Sequence, residues 1–351
     1  MIVGIHTDLH GQVCDYLIKY EKILNFNGID TIRVDVNQYD FWNKIKTLDL
    51  FIFRWQHIDD HRQLAYTILP ILESKLGIKC FPNWDTCWHF DDKIRQYYLL
   101  EQFGFPIIKS WIFWDKAEAI SWANYAEYPS VFKLKGGASS SNVILVNNKE
   151  KSIRLINKMF GHGIYSGRIP DSGTTKWKFF NLYHQLREWK HWIIKKLRNE
   201  DLTPYWQINK NYVLFQEFMP NNQFDTRVTV IGNRAFAFRR LNRENDFRSS
   251  GSGKLDYDQE KIDLAFVSMA FEISRAMNFQ SMAYDFLYGK DNKPVFCEVS
   301  YTFVDYAVRN CPGYWDSDLN WYEGHFWPQY CQLADILNIP DLQQPVFDDK
   351  E

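Results

Sequence analysis

The chain has 351 residues, of which 46% are hydrophobic, so it can bury a large core and is too long for one typical domain. Its formal net charge of −2 argues against a general nucleic-acid-binding protein, which would carry an excess of basic residues. The six cysteines form no CxxC pair and have no histidines at zinc-ligand spacing, which argues against a disulfide framework and a zinc knuckle. No apolar run reaches the roughly 18 residues of a membrane-spanning helix. We therefore expect a cytoplasmic protein of two or three lobes.

The first part of the chain alternates short apolar strands with helical stretches. The strands are predicted at residues 2–6, 31–36, 50–55 and 78–81, and the helical stretches at 13–25 and 62–76. This order predicts a small parallel sheet covered by helices. His6, Asp8 and His10 follow the first strand, where open parallel sheets place ligands; the alternative is a polar loop with no role. The glycine-rich dinucleotide fingerprint is missing, so a Rossmann cofactor is not expected.

A second feature is an apolar strand that ends in Lys133 and precedes a loop rich in glycine and serine at residues 136–141. Because an unpaired ammonium group is costly to bury, Lys133 requires an anion at this position. The loop offers backbone amides and hydroxyl groups, which bind phosphate oxygens. Its candidate phosphate-binding residues are Gly137, Ser139 and Ser140. A return strand at 143–146 makes the loop a predicted hairpin lid.

Residues 161–210 are predicted to be an insertion, because the link between the lid and the next strand is longer than a compact lobe needs. Apolar and aromatic residues within it recur at three- and four-residue spacing, which predicts a helix with one apolar seam and a basic remainder. A basic helix with aromatic residues can lie on an anionic membrane surface. The alternative is a helix packed on its own domain with a solvated basic face.

Two pairs of strands farther along the chain carry charged groups within apolar sequence. The first pair covers residues 227–231 and 234–240 and is joined at Gly232-Asn233, which is typical of a hairpin turn. The second pair, at 283–288 and 294–299, carries one carboxylate on each strand, Asp285 and Glu298. Carboxylates on adjacent strands suit hard divalent cations, and neighbouring arginines suit phosphate oxygens. The pattern predicts a magnesium nucleotide site.

The order of these parts resembles the ATP-grasp superfamily of carboxylate ligases, and in layout the branch that contains ribosomal-protein glutamate ligases. The resemblance covers residues 81–304. Its motifs are Asp92-Lys93 with Phe103-Gly104-Phe105-Pro106, Phe132-Lys133 with the glycine-rich loop, Phe215-Gln216-Glu217-Phe218-Met219, Asp225-Thr226-Arg227, Asp246-Phe247-Arg248-Ser249, Asp285, and Glu298-Val299-Ser300. One departure is Ser300, because the family usually ends with Glu-x-Asn.

The resemblance implies a role for each matched residue. Those that bind ATP would be Lys93, Lys133, Gly137, Ser139 and Ser140 at the phosphates, Glu217 and Phe218 at the adenine, and Asp225 at the ribose. Those that bind Mg²⁺, with Mn²⁺ as an alternative, would be Asp285, Glu298 and Ser300. The residues that bind the transferred phosphoryl group or the substrate carboxylate would be Arg227, Arg240 and Arg248, and their roles are interchangeable.

The expected fold class is α/β (α+β), a small parallel N-terminal α/β domain followed by a two-lobed ATP-grasp fold with antiparallel sheets. The predicted parts are a preliminary substrate domain at 1–90, a central lobe with the glycine-rich lid at 91–160, the basic aromatic insertion at 161–210, a C-terminal lobe with the metal site at 211–310, and an aromatic C-terminal segment at 311–351.

The resemblance implies an ATP-grasp carboxylate–amine ligase that activates a carboxylate as an acyl phosphate and joins it to an amine. Its partners would be small molecules rather than nucleic acid. Aromatic tails similar to residues 311–351 accompany ATP-grasp proteins of surface-polysaccharide pathways. The resemblance therefore adds amino acids, amino sugars and sugar-bearing or lipid-linked acceptors to the candidate substrates. It also implies peripheral contact with the inner face of the membrane. Two alternatives stay open: an ATP-dependent small-molecule or sugar kinase, and a non-catalytic nucleotide-binding protein.

Overall fold

The computed structural model describes residues 1–7, 13–55, 59–136, 143–165, 197, 208–244, 247–249, 252–339 and 341–347. These residues form a four-stranded parallel sheet, a four-stranded and a seven-stranded antiparallel sheet, and a two-stranded ribbon. The predicted class, a parallel N-terminal α/β domain followed by antiparallel sheets, is confirmed.

The N-terminal sheet is built from parallel strands joined by helices. Its strands are β1 (Ile2–His6), β2 (Asp30–Val34), β3 (Leu50–Ile52) and β4 (Lys79–Phe81), and the helices between them are α1 (Asp15–Phe26), α2 (Phe41–Ile45) and α3 (Asp59–Ser74). The strand order is β2-β1-β3-β4. Strand β3 is shorter than predicted, because the backbone amide of Trp55 donates to the hydroxyl group of Tyr301 at 2.8 Å and not to a neighbouring strand.

His6 is a core residue of this sheet and not a ligand-binding group of its loop. Its ring is fully buried and packs on Phe53, with ring centroids 4.0 Å apart. Burial and the nearby His61 lower the pKa of His6 well below its ordinary value, so the ring is neutral. The other two candidate ligand-binding residues after the first strand, Asp8 and His10, lie outside the described residues.

The second sheet is antiparallel and is preceded by α4 (Trp84–Cys87) and α5 (Lys93–Gln102). Its strands are β5 (Ser110–Phe113), β6 (Ser130–Lys133), β7 (Val143–Val146) and β10 (Val213–Glu217), in the order β5-β10-β6-β7. Its helices are α6 (Lys116–Tyr125) and α7 (Lys149–Met159), and its core includes Trp122, Phe132 and Phe215. The ribbon of β8 (Ile164–Tyr165) and β9 (Ile208–Asn209) contains the ends of the predicted insertion, most of which lies outside the described residues.

The third sheet is the largest and contains both predicted hairpins. Its strands are β11 (Phe224–Ile231), β12 (Arg234–Leu241), β13 (Leu255–Asp256), β14 (Ser281–Tyr288), β15 (Pro294–Ser300), β16 (Gly313–Trp315) and β17 (Trp321–Glu323). The order is β15-β14-β11-β12-β16-β17, and β13 pairs with β12. The turn at Gly232 has a φ of 54°, and a Cβ atom there would lie 2.1 Å from the carboxylate of Asp335, so both the backbone and the space favour glycine.

The two faces of the third sheet have different chemistry because side chains alternate along each strand. Val228, Ala237 and Tyr284 face the hydrophobic core with α8 (Leu264–Ala276), which follows a 3₁₀ turn at Gln259–Lys261. The other face carries the charged residues predicted to form the site. The C-terminal elements are α9 (Asp305–Arg309) and α10 (Pro328–Leu337), and α10 packs on α1 in the core of the N-terminal domain.

Candidate active site

A cavity of about 750 Å³ opens onto the charged face of the third sheet. It is lined by every predicted site residue that the structure describes, namely Lys93, Lys133, Glu217, Phe218, Asp225, Arg227, Arg240, Arg248, Asp285, Glu298 and Ser300. The remaining predicted residues, Gly137, Ser139 and Ser140, lie outside the described part of the chain. Residues more than 200 positions apart in sequence, such as Lys93 and Ser300, therefore meet in one cavity.

Asp285 is the centre of an array of ion pairs on this face. It lies opposite Arg227 in the pairing of β11 with β14, and the guanidinium group of Arg227 donates to its two oxygens at 2.7 and 2.9 Å. Arg240 Nη2 lies 2.7 Å from Asp285 Oδ2. Arg240 also donates to both oxygens of Asp225 at 2.6 Å, so it connects the two aspartates.

The two aspartates of this array have different proton affinities. Burial opposes ionisation of Asp285, but the charges of Arg227 and Arg240 outweigh it and hold the pKa of Asp285 well below its ordinary value. Asp225 is also buried, and for this carboxyl, burial raises the pKa in spite of Arg240. Although burial opposes its charge, Asp285 and Asp225 raise the pKa of Arg240. Asp285 is therefore the more acidic of the two aspartates.

Lys93 and Glu298 form the second charged pair of the cavity, with a distance of 3.1 Å from Nζ to Oε1. Helix α5 begins at Lys93 because the side chain of Asp92 accepts hydrogen bonds from the amides of Ile94 and Arg95. Burial opposes the charge on Lys93, but Glu298 and Asp91 raise its pKa above the ordinary value. Both predicted metal carboxylates are thus neutralised by basic side chains of this chain.

Lys133 differs from Lys93, Arg227 and Arg240, which pair with carboxylates of the cavity. It ends β6, and none of the ion pairs among the described residues includes it. Burial lowers the pKa of its ammonium group, although the nearby Cys297 and Glu298 act in the opposite direction. Burial also raises the pKa of the Cys297 thiol to about 12, so that group stays protonated and neutral. An ammonium group that is partly removed from water and has no ion pair among the described residues favours binding of an anion.

The hinge strand β10 brings Glu217 and Phe218 to the cavity. The backbone amide of Glu217 donates to the carbonyl of Lys109 at 2.9 Å, and Lys290 Nζ lies 2.5 Å from its side-chain carboxylate. The ring of Phe218 meets that of Phe247 edge to face, with centroids 5.5 Å apart. The hinge therefore presents a carboxylate and a flat apolar surface side by side.

The donor set at Asp285 and Glu298 fits a magnesium ion. The two residues are directly opposite each other on β14 and β15, next to an irregularity in strand pairing after Asp285. Within the described residues, no cluster of three or more His, Cys, Asp or Glu residues is arranged for a metal ion. Magnesium commonly takes one or two protein carboxylates and completes its shell with water and phosphate oxygens. The hydroxyl group of Ser300 donates to the Thr302 carbonyl at 2.8 Å, so it also shapes the turn after β15.

Sequence reasoning missed the wall that the N-terminal domain contributes. Tyr16 and Arg54 line the same cavity, together with Phe303 and Tyr306 from the segment after β15. The guanidinium carbon of Arg54 lies 3.9 Å from the centroid of the Tyr16 ring. No local motif marks these residues. Their only sequence signal is that Arg54 comes just after a predicted parallel strand, where ligands are commonly bound.

Comparison with solved structures defines the class as the ATP-grasp fold. A RimK domain ATP-grasp protein from Sphaerobacter thermophilus DSM 20745 is 13% identical, with 85% of this chain and 90% of that chain covered and a TM-score of 0.50. The macrocyclase MdnC from Microcystis aeruginosa MRC, bound with precursor peptide MdnA, is 12% identical, with 97% and 100% covered and a TM-score of 0.57. N5-carboxyaminoimidazole ribonucleotide synthetase from Thermotoga maritima is 13% identical, with 97% and 75% covered and a TM-score of 0.55.

Within that class, residues 198–303 match the family model of the RimK-like ATP-grasp domain. This part of the chain is therefore similar to the RimK-like ATP-grasp domain, and the predicted resemblance to ATP-grasp proteins is confirmed. The match covers the hinge strand, both charged hairpins and the metal-site candidates. No curated protein matches the chain in sequence. Among the helices that the structure describes, none is both long and apolar enough to cross a membrane.

Proposed function

We propose that the protein is an ATP-dependent ligase that activates a carboxylate as an acyl phosphate and joins it to an amine. The observation that carries this proposal is the ion-pair array of Arg227, Arg240, Asp285, Lys93 and Glu298 inside one cavity. Such an array offers cations for phosphate oxygens and carboxylates for a divalent metal in the same place. The fold and the RimK-like domain support the same enzyme class.

In this proposal, the nucleotide extends from the hinge to the charged sheet. Glu217 and Phe218 hold the adenine, and Lys93 and Lys133 bind the phosphates. Asp225 orients Arg240, and the lone pairs that Arg240 leaves on its carboxylate can accept a ribose hydroxyl group. Gly137, Ser139 and Ser140 would complete the phosphate site as a lid that excludes water from the acyl phosphate.

Asp285 and Glu298 would hold Mg²⁺, or Mn²⁺ in its place, with Ser300 as a third candidate ligand. When bound, the metal supplies neutralisation of phosphate charge. Arg227, Arg240 and Arg248 would orient the substrate carboxylate and neutralise the transferred phosphoryl group. The amine then displaces phosphate from the acyl carbon. Because positioning and charge provide most of the catalysis, no covalent enzyme nucleophile is needed.

The substrates we propose are an amino acid or amino sugar used in surface-polysaccharide synthesis at the cytoplasmic side of the membrane. This part of the proposal is supported by the aromatic C-terminal segment, of which Tyr322 is exposed and stacks on Tyr314 with an interplanar angle of 17°. Flat, exposed rings with a polar edge suit sugar faces. Trp315 and Trp321, by contrast, pack on each other in and beside the core and serve the fold.

The basic insertion at 161–210 is proposed to meet a lipid-linked acceptor at an anionic membrane surface. The support is its sequence pattern, since these residues lie almost wholly outside the described part of the chain. Sedimentation with vesicles that contain anionic lipid should weaken as salt screens Lys190, Lys195, Lys196 and Arg198. If the protein ignores such vesicles at low salt, this part of the proposal is wrong.

The experiment that tests the ligase itself is a measurement of ADP release across amino acids and uronic-acid sugars, with hydroxylamine present to trap an acyl phosphate as a hydroxamate. A ligase gives ADP, phosphate and an amide when an acceptor amine is supplied. A stable phosphorylated product without amide would identify a kinase. Nucleotide binding without ADP release for any substrate would identify a non-catalytic binding protein.

A further inference from the structure

Arg54 lines the cavity and forms no ion pair with a carboxylate of the described residues. Arg227 and Arg240 form ion pairs with aspartates at 2.6–2.9 Å. Arg54 instead donates from Nη2 to the backbone carbonyl of Phe303 at 3.3 Å and stacks on Tyr16. A guanidinium group has a fork of N–H donors that matches a carboxylate, and a single carbonyl leaves most of them available.

Arg54 is held in place by contacts with Tyr16 of α1 and with Phe303 of the segment after β15. Its position just after β3 is at the carboxyl end of the parallel sheet, and the next residue, Trp55, is tied to Tyr301 by a hydrogen bond of 2.8 Å. Tyr16 is 8% exposed and Phe303 is 4% exposed, so the surfaces on either side of the guanidinium group are themselves buried. The group is therefore pre-oriented for a ligand, which lowers the entropic cost of binding.

The acidic residues of the same wall do not neutralise Arg54. Asp305 lines the cavity, but its Oδ2 lies 3.2 Å from Lys19 Nζ and accepts a hydrogen bond from Gln329 at 2.9 Å. Asp15 lines the cavity from the first turn of α1, is exposed, and forms none of the ion pairs between described residues. This end of the cavity therefore combines one unneutralised cation with a rim carboxylate and aromatic walls.

We infer that Arg54 is the binding residue for a substrate carboxylate that is not the one activated. Arg54 belongs to the wall formed with Tyr16 and Phe303, whereas the phosphoryl group would be transferred at Asp285 and Glu298, which pair with other basic residues. The inference rests on the proposed function and deepens it. The substrate class it indicates is a molecule with a free carboxylate beside its reacting group, such as an amino acid or a dicarboxylate.

The first test is arginine modification of the wild-type chain with phenylglyoxal, followed by peptide mass spectrometry. The probes are succinate, L-glutamate and D-glucuronate, each with and without MgATP, and succinamide is the matched neutral probe. We expect Arg54 to react faster than the ion-paired Arg227 and Arg240. At saturation, at least one carboxylate probe should slow modification of Arg54 by about tenfold or more, because a bound carboxylate occupies the N–H donors of the guanidinium group. Succinamide should not slow it.

Two results would overturn the inference. One is that no carboxylate probe changes the rate at Arg54. The other is that MgATP alone protects Arg54 and the carboxylates add nothing, which would assign the guanidinium group to the nucleotide. Failure of the proposed function has a different signature, because a wild-type chain that binds no MgATP can still show protection of Arg54 by a carboxylate.

The second test compares variants in binding of the protecting probe. Arg54→Met should weaken binding of that probe by about tenfold or more and leave MgATP binding unchanged, and Arg54→Lys should recover part of the loss. Arg95→Met is the control, because Arg95 also stacks on a tyrosine, with its guanidinium carbon 4.5 Å from the Tyr66 ring, and donates to a backbone carbonyl. Unlike Arg54, it lies outside the cavity lining and forms an ion pair, with Asp92 at 3.6 Å. Equal losses in the Arg54 and Arg95 variants would show a structural role only.

Discussion

Arg227 and Asp285 face each other across β11 and β14 and form an ion pair with two hydrogen bonds, 2.7 Å from Nε to Oδ1 and 2.9 Å from Nη2 to Oδ2. Arg240 adds a third contact to the same carboxylate at 2.7 Å. Asp285 is therefore both the proposed metal ligand and the residue that neutralises two arginines of the cavity, Arg227 and the buried Arg240. Substitution at this position should affect the fold as well as the chemistry.

Asp285→Asn should abolish ADP release and also lower the free energy of unfolding. Among the described residues, loss of the carboxylate leaves Arg227 and Arg240 with Asp225 as their one buried counter-charge, and breaking a buried ion pair costs about 3–5 kcal/mol. Chemical denaturation of the two proteins measures the difference. The matched control is Asp256→Asn, which breaks the more exposed pair with Arg239 and should cost about 1 kcal/mol or less.

The loss of stability in Asp285→Asn should depend on pH. Because Arg227 and Arg240 depress the pKa of Asp285 in the folded chain, its contribution to stability is present above the pKa of an unfolded aspartate. It is lost as the pH falls through the depressed folded-state value. The difference in stability between wild type and Asp285→Asn should therefore shrink with acidification. A difference that stays constant with pH would show that Asp285 acts through packing instead of charge.

Metal binding should depend on the nucleotide, because basic residues already neutralise both metal carboxylates. Asp285 is held by two arginines, and Glu298 lies 3.1 Å from the ammonium group of Lys93. Phosphate oxygens that attract Lys93 and the arginines would release the carboxylates for the cation. We expect Mn²⁺, followed by electron paramagnetic resonance, to bind at least about tenfold more tightly with a non-hydrolysable ATP analogue than alone. Equal affinity in both conditions would contradict this coupling.

The sequence predicted the charged face of the third sheet well because the relevant information is local. Alternation along 227–240 and the Gly232-Asn233 turn fix which residues of the hairpin share a face, and family order adds the partner strands. What the sequence did not contain is the pairing itself. Arg227 and Asp285 are 58 positions apart, and only the register of β11 with β14 places them in contact.

Ser300 has a role in the turn that the sequence pattern did not indicate. Its hydroxyl group donates to the Thr302 carbonyl at 2.8 Å and accepts from the Thr302 amide at 3.3 Å. An asparagine side chain can make the same type of local hydrogen bond and offers a better metal ligand. Ser300→Asn should therefore keep its stability and retain or tighten Mn²⁺ binding. Ser300→Ala should lose about 1 kcal/mol of stability in denaturation, since one hydrogen bond is removed.

The N-terminal contribution to the cavity was beyond sequence reasoning for a physical reason. Arg54 and Tyr16 act through the docking of the parallel sheet on the segment after β15, which is a long-range packing event. The alternation of strands and helices predicted the sheet itself. It did not predict that Trp55 would bond to Tyr301 and turn Arg54 toward the cavity.

Substitution of Lys133 should change the stability of the folded chain and its affinity for ATP in opposite directions. Burial lowers the pKa of its ammonium group, and none of the ion pairs among described residues compensates the charge, so the charged form destabilises the folded chain without ligand. Lys133→Met should therefore raise the melting temperature at neutral pH. That gain should vanish as the pH rises through the folded-state pKa and past that of an unfolded lysine, because the wild-type group is then neutral in both states.

The same variant should bind ATP more weakly by about tenfold or more, since a hydrogen bond to an ionised phosphate contributes about 1.5–3 kcal/mol. Calorimetric titration of ATP measures this loss, and Lys116→Met, at an exposed lysine of α6, is the control that should change neither property. A melting temperature that rises while ATP affinity falls shows that Lys133 is retained for binding at a cost in stability. If ATP affinity is unchanged, Lys133 is a structural residue and the phosphates are bound elsewhere in the cavity.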